Sequence, residues 1–462
     1  MFFEEKIWQY FTGPTLKKHL PENLIKLAHL VPFPLYAVGG SVRDFLCGTL
    51  KESADWDIAG AGSDEKLTAA AKSLGFTVDA VYKNTGTVRL SDPLGVKYEF
   101  TRFRSDKYVR GLHAPAEIEF TDDIKKDAVR RDFRANAVYY DVQKGEFLDP
   151  LGGIEDIKKR IFRTVAPAEK VFGEDGLRLM RLARLAAETG FSPDSECLAG
   201  AKMHASLIGD IVPERVFSEL KRLLNADGEG AYRGLIVLKE TGVLKEILPE
   251  LALGENVNQR ADFHKYDVLE HSFRCVRYAE RDIRFAALLH DVGKPFCYLR
   301  DGNFHDHPEE GARIAAQILT RLKAPTKLVE ETKTLVALHM RDFNLMMKEN
   351  KVRRTIAQNY ELLPKLLSLF QADFSACKDD LSPAPVKVKW QAISDQMKKE
   401  GAPRSLKELT VKGGDLLAIG IKPENIGRVL GELLLYCIED GARNQREKLL
   451  KRVQKIYLLS EG

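Results

Sequence analysis

The sequence predicts an α+β protein: a mixed α/β head followed by all-α modules. Three observations carry that expectation. Short β-rich runs ("DWDIA", "TVRLSD", "VKYEFTRF", "AEIEF", "AVYYDV") are confined to the stretch from about residue 35 to 165, between Gly and Asp-Pro turns. From about residue 170 the strand signals stop. Helical periodicity replaces them in "EDGLRLMRLARLAAETG", "PERVFSELKRLL" and "YRGLIVLKETGVLKEIL". The length, 462 residues, is enough for several domains.

Taken in order, the first 30 residues read as a helical extension, with residues 1–24 lying ahead of the head domain at 25–165. A helical neck and body follow at 166–258, then a helical module at 259–378 that concentrates the histidines. "DDLSPAPVKVK" (379–389) is interrupted by proline and reads as a linker opening a C-terminal helical tail, 379–462.

Composition bounds the function classes. With 44% hydrophobic and 30% charged residues the chain is an ordinary globular protein. Its net charge of +4 gives no global field for nucleic acid, so any such surface must be local. Six dispersed cysteines without a CxxC pair suit a reducing compartment, not a disulfide or zinc framework. The start, "MFFEEKIWQYF", lacks the pattern of a signal peptide, and no apolar run is long enough to span a membrane. The expectation is a cytoplasmic protein with no membrane contact and no predicted protein partner.

"LYAVGGSVRDFLCG" reads as strand, Gly-Gly, helix. Gly39 and Gly40 allow close backbone approach to a ligand, Ser41 is a candidate N-cap, and Arg43 stands near a helix start that favours phosphate. One short helix later, "SADWDIAG" holds Asp55 and Asp57 two residues apart, on one face of an extended strand. Such a pair is either a solvated turn or a metal site. A phosphate cradle upstream favours the metal reading, with Mg²⁺ bridging acids and triphosphate. Glu99, on the alternating strand "VKYEFTRF", is a further candidate carboxylate, or an exposed strand residue.

"GGSVRD", "DWDIA", "KKDAVRRDFRANA" and "EDGLRLMRLAR", in this order and spacing, resemble the class II tRNA nucleotidyltransferase and bacterial poly(A) polymerase superfamily. The resemblance runs from about residue 25 to near the end. It implies a polymerase β-like head, Asp55 and Asp57 as the catalytic Mg²⁺ pair, and nucleotide contacts from Gly40, Arg43 and Arg131. Arg134 departs from the family pattern, which usually has Thr there.

In "EDGLRLMRLAR", Asp175 and Arg178 lie three apart and are expected to share a helical face. Carboxylate beside guanidinium is an acceptor next to a donor. Cytosine (N4 amino, N3) and adenine (N6 amino, N1) complement that pair, whereas uracil and guanine oppose it. Without context, an i,i+3 ion pair explains the same residues. The family resemblance implies that they template the base, that Arg181 and Arg184 support nucleotide binding, and that Glu174 orients the helix start. The loop "RSDKYVRGLHAPAEIEF" (104–120) resembles the flexible element retained by members that add the terminal A.

His271, the pair His290–Asp291, His307, His339 and Asp373 form an ordered H…HD…H…H…D series on helices. Imidazoles with carboxylates suit borderline divalent metals. The series resembles the HD phosphohydrolase superfamily, which implies His271, His290, Asp291 and Asp373 as core ligands of Mn, Ni, Fe or Mg, with His307 and His339 for a second ion. "KGGDLLAIGIKPENIG" and the basic stretch Arg446 to Lys455 resemble the family's RNA-contacting tail.

Together these features predict a template-independent enzyme that adds or repairs the 3′ CCA of tRNA from CTP and ATP, with a possible second, phosphohydrolase activity. An A-adding enzyme or poly(A) polymerase is the same-class alternative. An HD phosphohydrolase acting on RNA ends is the alternative of another class.

Overall fold

The computed structural model describes residues 16–51, 55–108 and 115–458. The chain separates into two compact units, residues 1–247 and 248–462. The expected extension before residue 16 and the tip of the loop 104–120 (residues 109–114) lie outside the described residues.

In the first unit, helix α1 (Glu22–Leu30) leads into β1 (Tyr36–Val38), α2 (Gly40–Leu46), β2 (Trp56–Gly60) and α3 (Asp64–Ser73). Strands β3 (Thr77–Tyr82), β4 (Thr87–Ser91) and β5 (Lys97–Arg102) follow, then a separate hairpin of β6 (Arg104–Lys107) and β7 (Glu117–Phe120). After α4 (Ile124–Val129), β8 (Tyr139–Asp141) and β9 (Glu146–Leu148) complete a seven-stranded sheet of order β3-β4-β5-β2-β1-β8-β9. β2 is its central strand, antiparallel to β1 and parallel to β5, so the sheet is mixed as expected. Trp56 (3% exposed) and Ile58 (1%) point into the core, which turns the intervening Asp57, and Asp55 with it, to the open face. On the same side of β2 as Asp57, Val38, Ala59, Phe103 and Tyr139 pack into one apolar cluster.

Helices then dominate: α5 (Gly153–Lys159), α6 (Ala168–Glu174), α7 (Leu177–Thr189), α8 (Ser195–Met203), α9 (Pro213–Leu224) and α10 (Gly228–Glu240). The strand signal does not quite end at residue 170, because Ser192–Pro193 pairs in parallel with Ile161–Phe162. The sequence "EDGLRLMRLARLAAETG" is also not one helix. Asp175 is extended (φ −148°, ψ 108°), so α6 ends at Glu174 and α7 begins after Gly176. A Cβ on Gly176 would sit 2.6 Å from the Leu207 carbonyl oxygen, so the break fits tight packing beneath it. α7 stops at Gly190 (φ 75°), as its glycine stop suggests.

The second unit holds α11 (Val268–Tyr278), α12 (Arg284–Leu289), α13 (Lys294–Asp301), α14 (His307–Arg321), α15 (Thr326–Leu338), α16 (Glu349–Gln358), α17 (Leu363–Lys378), α18 (Pro385–Lys399), α19 (Ile426–Glu439) and α20 (Arg446–Val453). The stretch 379–389 is not a free linker. Proline at the first turn starts α18 inside it, a position where the missing N–H costs nothing. Asp379 accepts hydrogen bonds from the Tyr266 and Tyr278 hydroxyls and from Arg274 Nη1, at 2.5, 2.7 and 2.7 Å. The tail has its own apolar cluster, built on Leu409, Leu416, Val429, Leu433 and Leu449. Among the described residues no helix is long and apolar enough to cross a membrane.

α7 and α10 approach almost backbone to backbone. A Cβ on Gly230 would lie 2.2 Å from the Ala187 carbonyl oxygen, and one on Gly234 would lie 2.9 Å from Ala187 Cβ and 3.0 Å from the Ala183 carbonyl oxygen. Gly230→Ala is therefore expected to cost about 1–3 kcal/mol through overpacking. A lower urea midpoint with unchanged far-ultraviolet circular dichroism would report it; an unshifted midpoint would show that the helices can part freely.

Candidate functional site

The turn from β1 into α2 places a glycine against a carboxylate. Gly39 has φ 81°, a conformation costly for any side chain, and a Cβ there would lie 2.6 Å from Asp57 Oδ2. Both constraints demand hydrogen at this position. Val38, immediately before it, pairs with Asp57 across the sheet. α2 starts at Gly40, so the N-cap is Gly39 and not Ser41 as expected. The left-handed turn brings the chain into the helix one residue sooner. Ser41 lies inside the first turn, its Oγ buried without a hydrogen-bond partner.

Asp55 and Asp57 share the open face of the sheet, and Glu99 lies in register beside Asp57 on β5. Protein crowding withdraws water from Asp57 and raises its carboxyl pKa; Arg131 opposes the shift, while Glu99 and Asp55 add to it. Glu99 itself pairs with Arg89 at 2.8 Å. The three acids therefore form a negative cluster with arginines behind it.

Two buried acids hold those arginines, and neither was singled out from the sequence. Asp127 accepts from Arg130 Nε (2.7 Å), Arg131 Nη2 (3.0 Å) and the Tyr139 hydroxyl (2.6 Å). Asp132 accepts from Arg181 Nη2 (2.5 Å) and Nε (2.8 Å), from the Phe133 amide (2.8 Å) and from Asn136 Nδ2 (3.2 Å). Burial works against the Asp132 charge, but Arg181 and these hydrogen bonds prevail and hold its pKa far below the usual carboxylate range. Arg43 is buried too: Nη1 donates to Asn136 Oδ1 (2.6 Å), while Nε and Nη2 donate to Asp44 (2.9 and 2.7 Å). Arg134, where the family usually has Thr, donates from Nε to the Thr164 carbonyl at 3.1 Å.

Asp175 and Arg178 do not share a helical face. Because Asp175 is extended, its Oδ1 caps the start of α7 by accepting from the Leu177 amide at 2.9 Å. Arg178, 5% exposed, pairs instead with Glu174 at 2.9 Å, so Glu174 does more than orient the helix start. Arg178 Nη1 also donates to the Val171 carbonyl (2.9 Å), and Nη2 to the Arg130 carbonyl (2.9 Å) and the Tyr108 hydroxyl (3.3 Å). Its Nε–H has no acceptor among the described residues. Arg184 is buried between Glu219 and Glu188, both at 2.5 Å, and clamps α7 to α9.

In the second unit the structure brings all six ordered ligands together. His271 Nε2 lies 2.9 Å from Asp373 Oδ1 and 3.1 Å from His290 Nε2. The two oxygens of Asp291 divide the group. Oδ2 lies 3.2 Å from His290 Nε2 and 3.5 Å from His271 Nε2. Oδ1 lies 3.4 Å from Nε2 of both His307 and His339, is buried, and has no hydrogen-bond partner. Backbone carbonyls set three of the tautomers: Nδ1 of His290, His307 and His339 donates to the carbonyls of Ala287, Phe304 and Val336 at 2.8, 2.7 and 2.7 Å. Their Nε2 lone pairs are left facing Asp291, which is the tautomer that binds metal. An orphaned buried carboxylate oxygen among inward lone pairs fits divalent cations. Lys294 Nζ, unnoticed in the sequence, sits 2.7 Å from Asp291 Oδ2 and is steadied by Gln259 at 2.7 Å.

Three family models match the chain: the poly(A) polymerase head domain over residues 35–163, the probable RNA- and SrmB-binding site of polymerase A over 190–253, and the HD domain over 268–371. An A-adding tRNA nucleotidyltransferase of Deinococcus radiodurans is 35% identical over 370 residues, covering 76% of this chain and 78% of that one. A multifunctional CCA protein of Xanthomonas campestris pv. campestris is 35% identical over 309 residues, covering 63% and 71%. The crystal structure of the Bacillus stearothermophilus CCA-adding enzyme in complex with CTP is similar with a TM-score of 0.67 at 25% identity, over 96% of this chain and 98% of that one.

The Asp132–Arg181 pair yields a test. Asp132→Asn is expected to cost about 3 kcal/mol at neutral pH, the low end for a broken buried pair because Arg181 is partly exposed. A depressed folded-state pKa contributes stability above the unfolded value, near 4, and loses it as pH falls toward the folded value. The difference between wild type and variant should therefore shrink below about pH 4 in denaturant titrations. A difference constant across that range would show that the Asp132 charge carries none of the stability.

Proposed function

Because the chain belongs to the family of tRNA nucleotidyltransferases built on a poly(A) polymerase head, we propose that it completes tRNA 3′ ends with C, C and A from CTP and ATP. The observation that carries the reading is the Asp55/Asp57 face of the central strand, opposed by a glycine turn that cannot hold a side chain. The RNA 3′-hydroxyl attacks the α-phosphate, a new P–O bond forms, and pyrophosphate departs. Asp55 and Asp57 would hold Mg²⁺, which when bound neutralises the phosphate charge. Gly39 and Gly40 let the triphosphate approach the backbone. Arg131 and Arg181 add positive charge behind the carboxylates, and Arg43 and Arg184 brace the elements that carry them. Glu99 flanks the pair from β5.

For base choice, the Nε–H of Arg178, without an acceptor among the described residues, is the donor and Asp175 the acceptor. Their positions across the α6–α7 break make them a pair presented by a junction, not by one helical face. Cytosine and adenine match this pair; uracil and guanine do not.

A second reading has its own observation, the three carbonyl-fixed histidines around Asp291. His271, His290, Asp291 and Asp373 would hold one divalent cation and Asp291, His307 and His339 a second, giving a phosphoester hydrolase for RNA ends. Bound cations there supply an activated water.

The test offers purified protein tRNAs lacking three, two or one terminal nucleotide, with CTP, ATP or both. Complete CCA on the shortest substrate supports the reading; ATP-only addition to the CC-ended tRNA would replace it with A addition. Asp55→Ala with Asp57→Ala should abolish addition and leave any phosphoester hydrolysis, while Asp291→Asn should do the reverse. Addition that survives the double change would refute the metal assignment. Arg178→Ala should raise UTP and GTP incorporation relative to CTP and ATP. An unchanged ratio would remove Arg178 from base selection.

A further inference from the structure

His271 faces two ways. Its Nε2 lies 2.9 Å from Asp373 Oδ1 and 3.1 Å from His290 Nε2. Its other ring nitrogen, Nδ1, is buried and has no hydrogen-bond partner among the described residues.

That atom has company. His264, in the segment before α11, packs its ring edge-on against His271 with centroids 4.9 Å apart, and its own Nδ1 is also buried and unpartnered. Cys377 lies one helical turn beyond Asp373 on α17. One ligand atom from each of His264, His271 and Cys377 falls within 4.8 Å of the other two. Two imidazoles and a thiol, the thiol donating to the Asp373 carbonyl at 3.4 Å, thus converge beside the Asp291 group.

We propose that His264, His271 through Nδ1, and Cys377 form a binding site for a borderline divalent cation of the Zn²⁺ class, separate from the Asp291 group. Two imidazole nitrogens and a thiolate suit such an ion, whereas Mg²⁺ and Ca²⁺ prefer oxygen. Three protein ligands leave the fourth tetrahedral position for water. On binding, the ion replaces the Cys377 thiol proton, which passes to solvent. The site also makes His271 a shared ligand. A neutral imidazole has a single lone pair, so the ring serves either this ion through Nδ1 or an ion at the Asp291 group through Nε2. Filling the new site withdraws one ligand from its neighbour.

The test titrates metal-free full-length protein with Co²⁺ and follows thiolate-to-cobalt charge-transfer absorption in the near ultraviolet, a band that oxygen and imidazole ligands do not give. The band should develop in the wild type and be absent in Cys377→Ser. His264→Ala should weaken the Co²⁺ affinity reported by the band about tenfold or more. Cys275→Ser is the control, since Cys275 is the other thiol close to His290. A wild type without the band, a band that survives Cys377→Ser, or an affinity indifferent to His264→Ala would each overturn the proposal. Asp291→Asn should keep the band; its loss from a folded variant would assign the ion to the Asp291 group instead.

Discussion

The first unit depends on one buried carboxylate. Asp132 sits where α2, the turn before β8, and α7 meet, and it is charged because Arg181, Asn136 and the Phe133 amide satisfy it. Asn136 passes the connection to Arg43, and Arg43 passes it to Asp44. The resulting polar chain runs from the helix after the glycine turn to the helix that bears Arg178, Arg181 and Arg184. A buried charge tolerates little displacement of its partners, because each lost hydrogen bond leaves a desolvated group behind. Asp132 therefore fixes how far the glycine turn at Gly39 stands from the arginines of α7.

Much of this was legible in the sequence, for identifiable reasons. Alternation around Trp56 was enough to place Asp55 and Asp57 on one face, since a strand has only two faces. The histidine series was legible because its ligands recur on helices in a fixed order. What escaped were features decided by tertiary contact. Asp175 leaves the helix at an Asp-Gly step, a local break signal masked in the sequence by the helical periodicity around it, and Gly176 there packs against the Leu207 carbonyl. Ser41 looked like a cap because its residue type favours caps, but a left-handed Gly39 had already started the helix. Asp127, Asp132 and Asn136 lay inside a motif that was noticed, yet their hydrogen-bond partners are distant in sequence or visible only in three dimensions. The stretch 379–389 shows the converse: its prolines were noticed, but one of them opens a helix.

The second unit uses another device for the same end. Where the head positions charge with charge, the histidine group relies on backbone carbonyls. Three main-chain oxygens each accept a hydrogen bond from the Nδ1–H of one imidazole, which fixes three inward Nε2 lone pairs. His271 lacks such a carbonyl, and its Nδ1 is unpartnered. It is thus the member of the group whose protonation is not dictated by the main chain.

The glycine-lined crossing of α7 and α10 bears on how such a molecule can choose between two bases. A helix resting on a neighbour's backbone, and not on flexible side-chain tips, is a stiff beam: it has no compliant layer to slide over. The arginines on α7 therefore extend from a rail that stays put. On the proposed reading, any adjustment between a pyrimidine and a purine comes from side-chain rotation, or from the α6–α7 junction at Asp175 and Gly176. A change of nucleotide preference would then be sought in those two places and not in the rail beneath them.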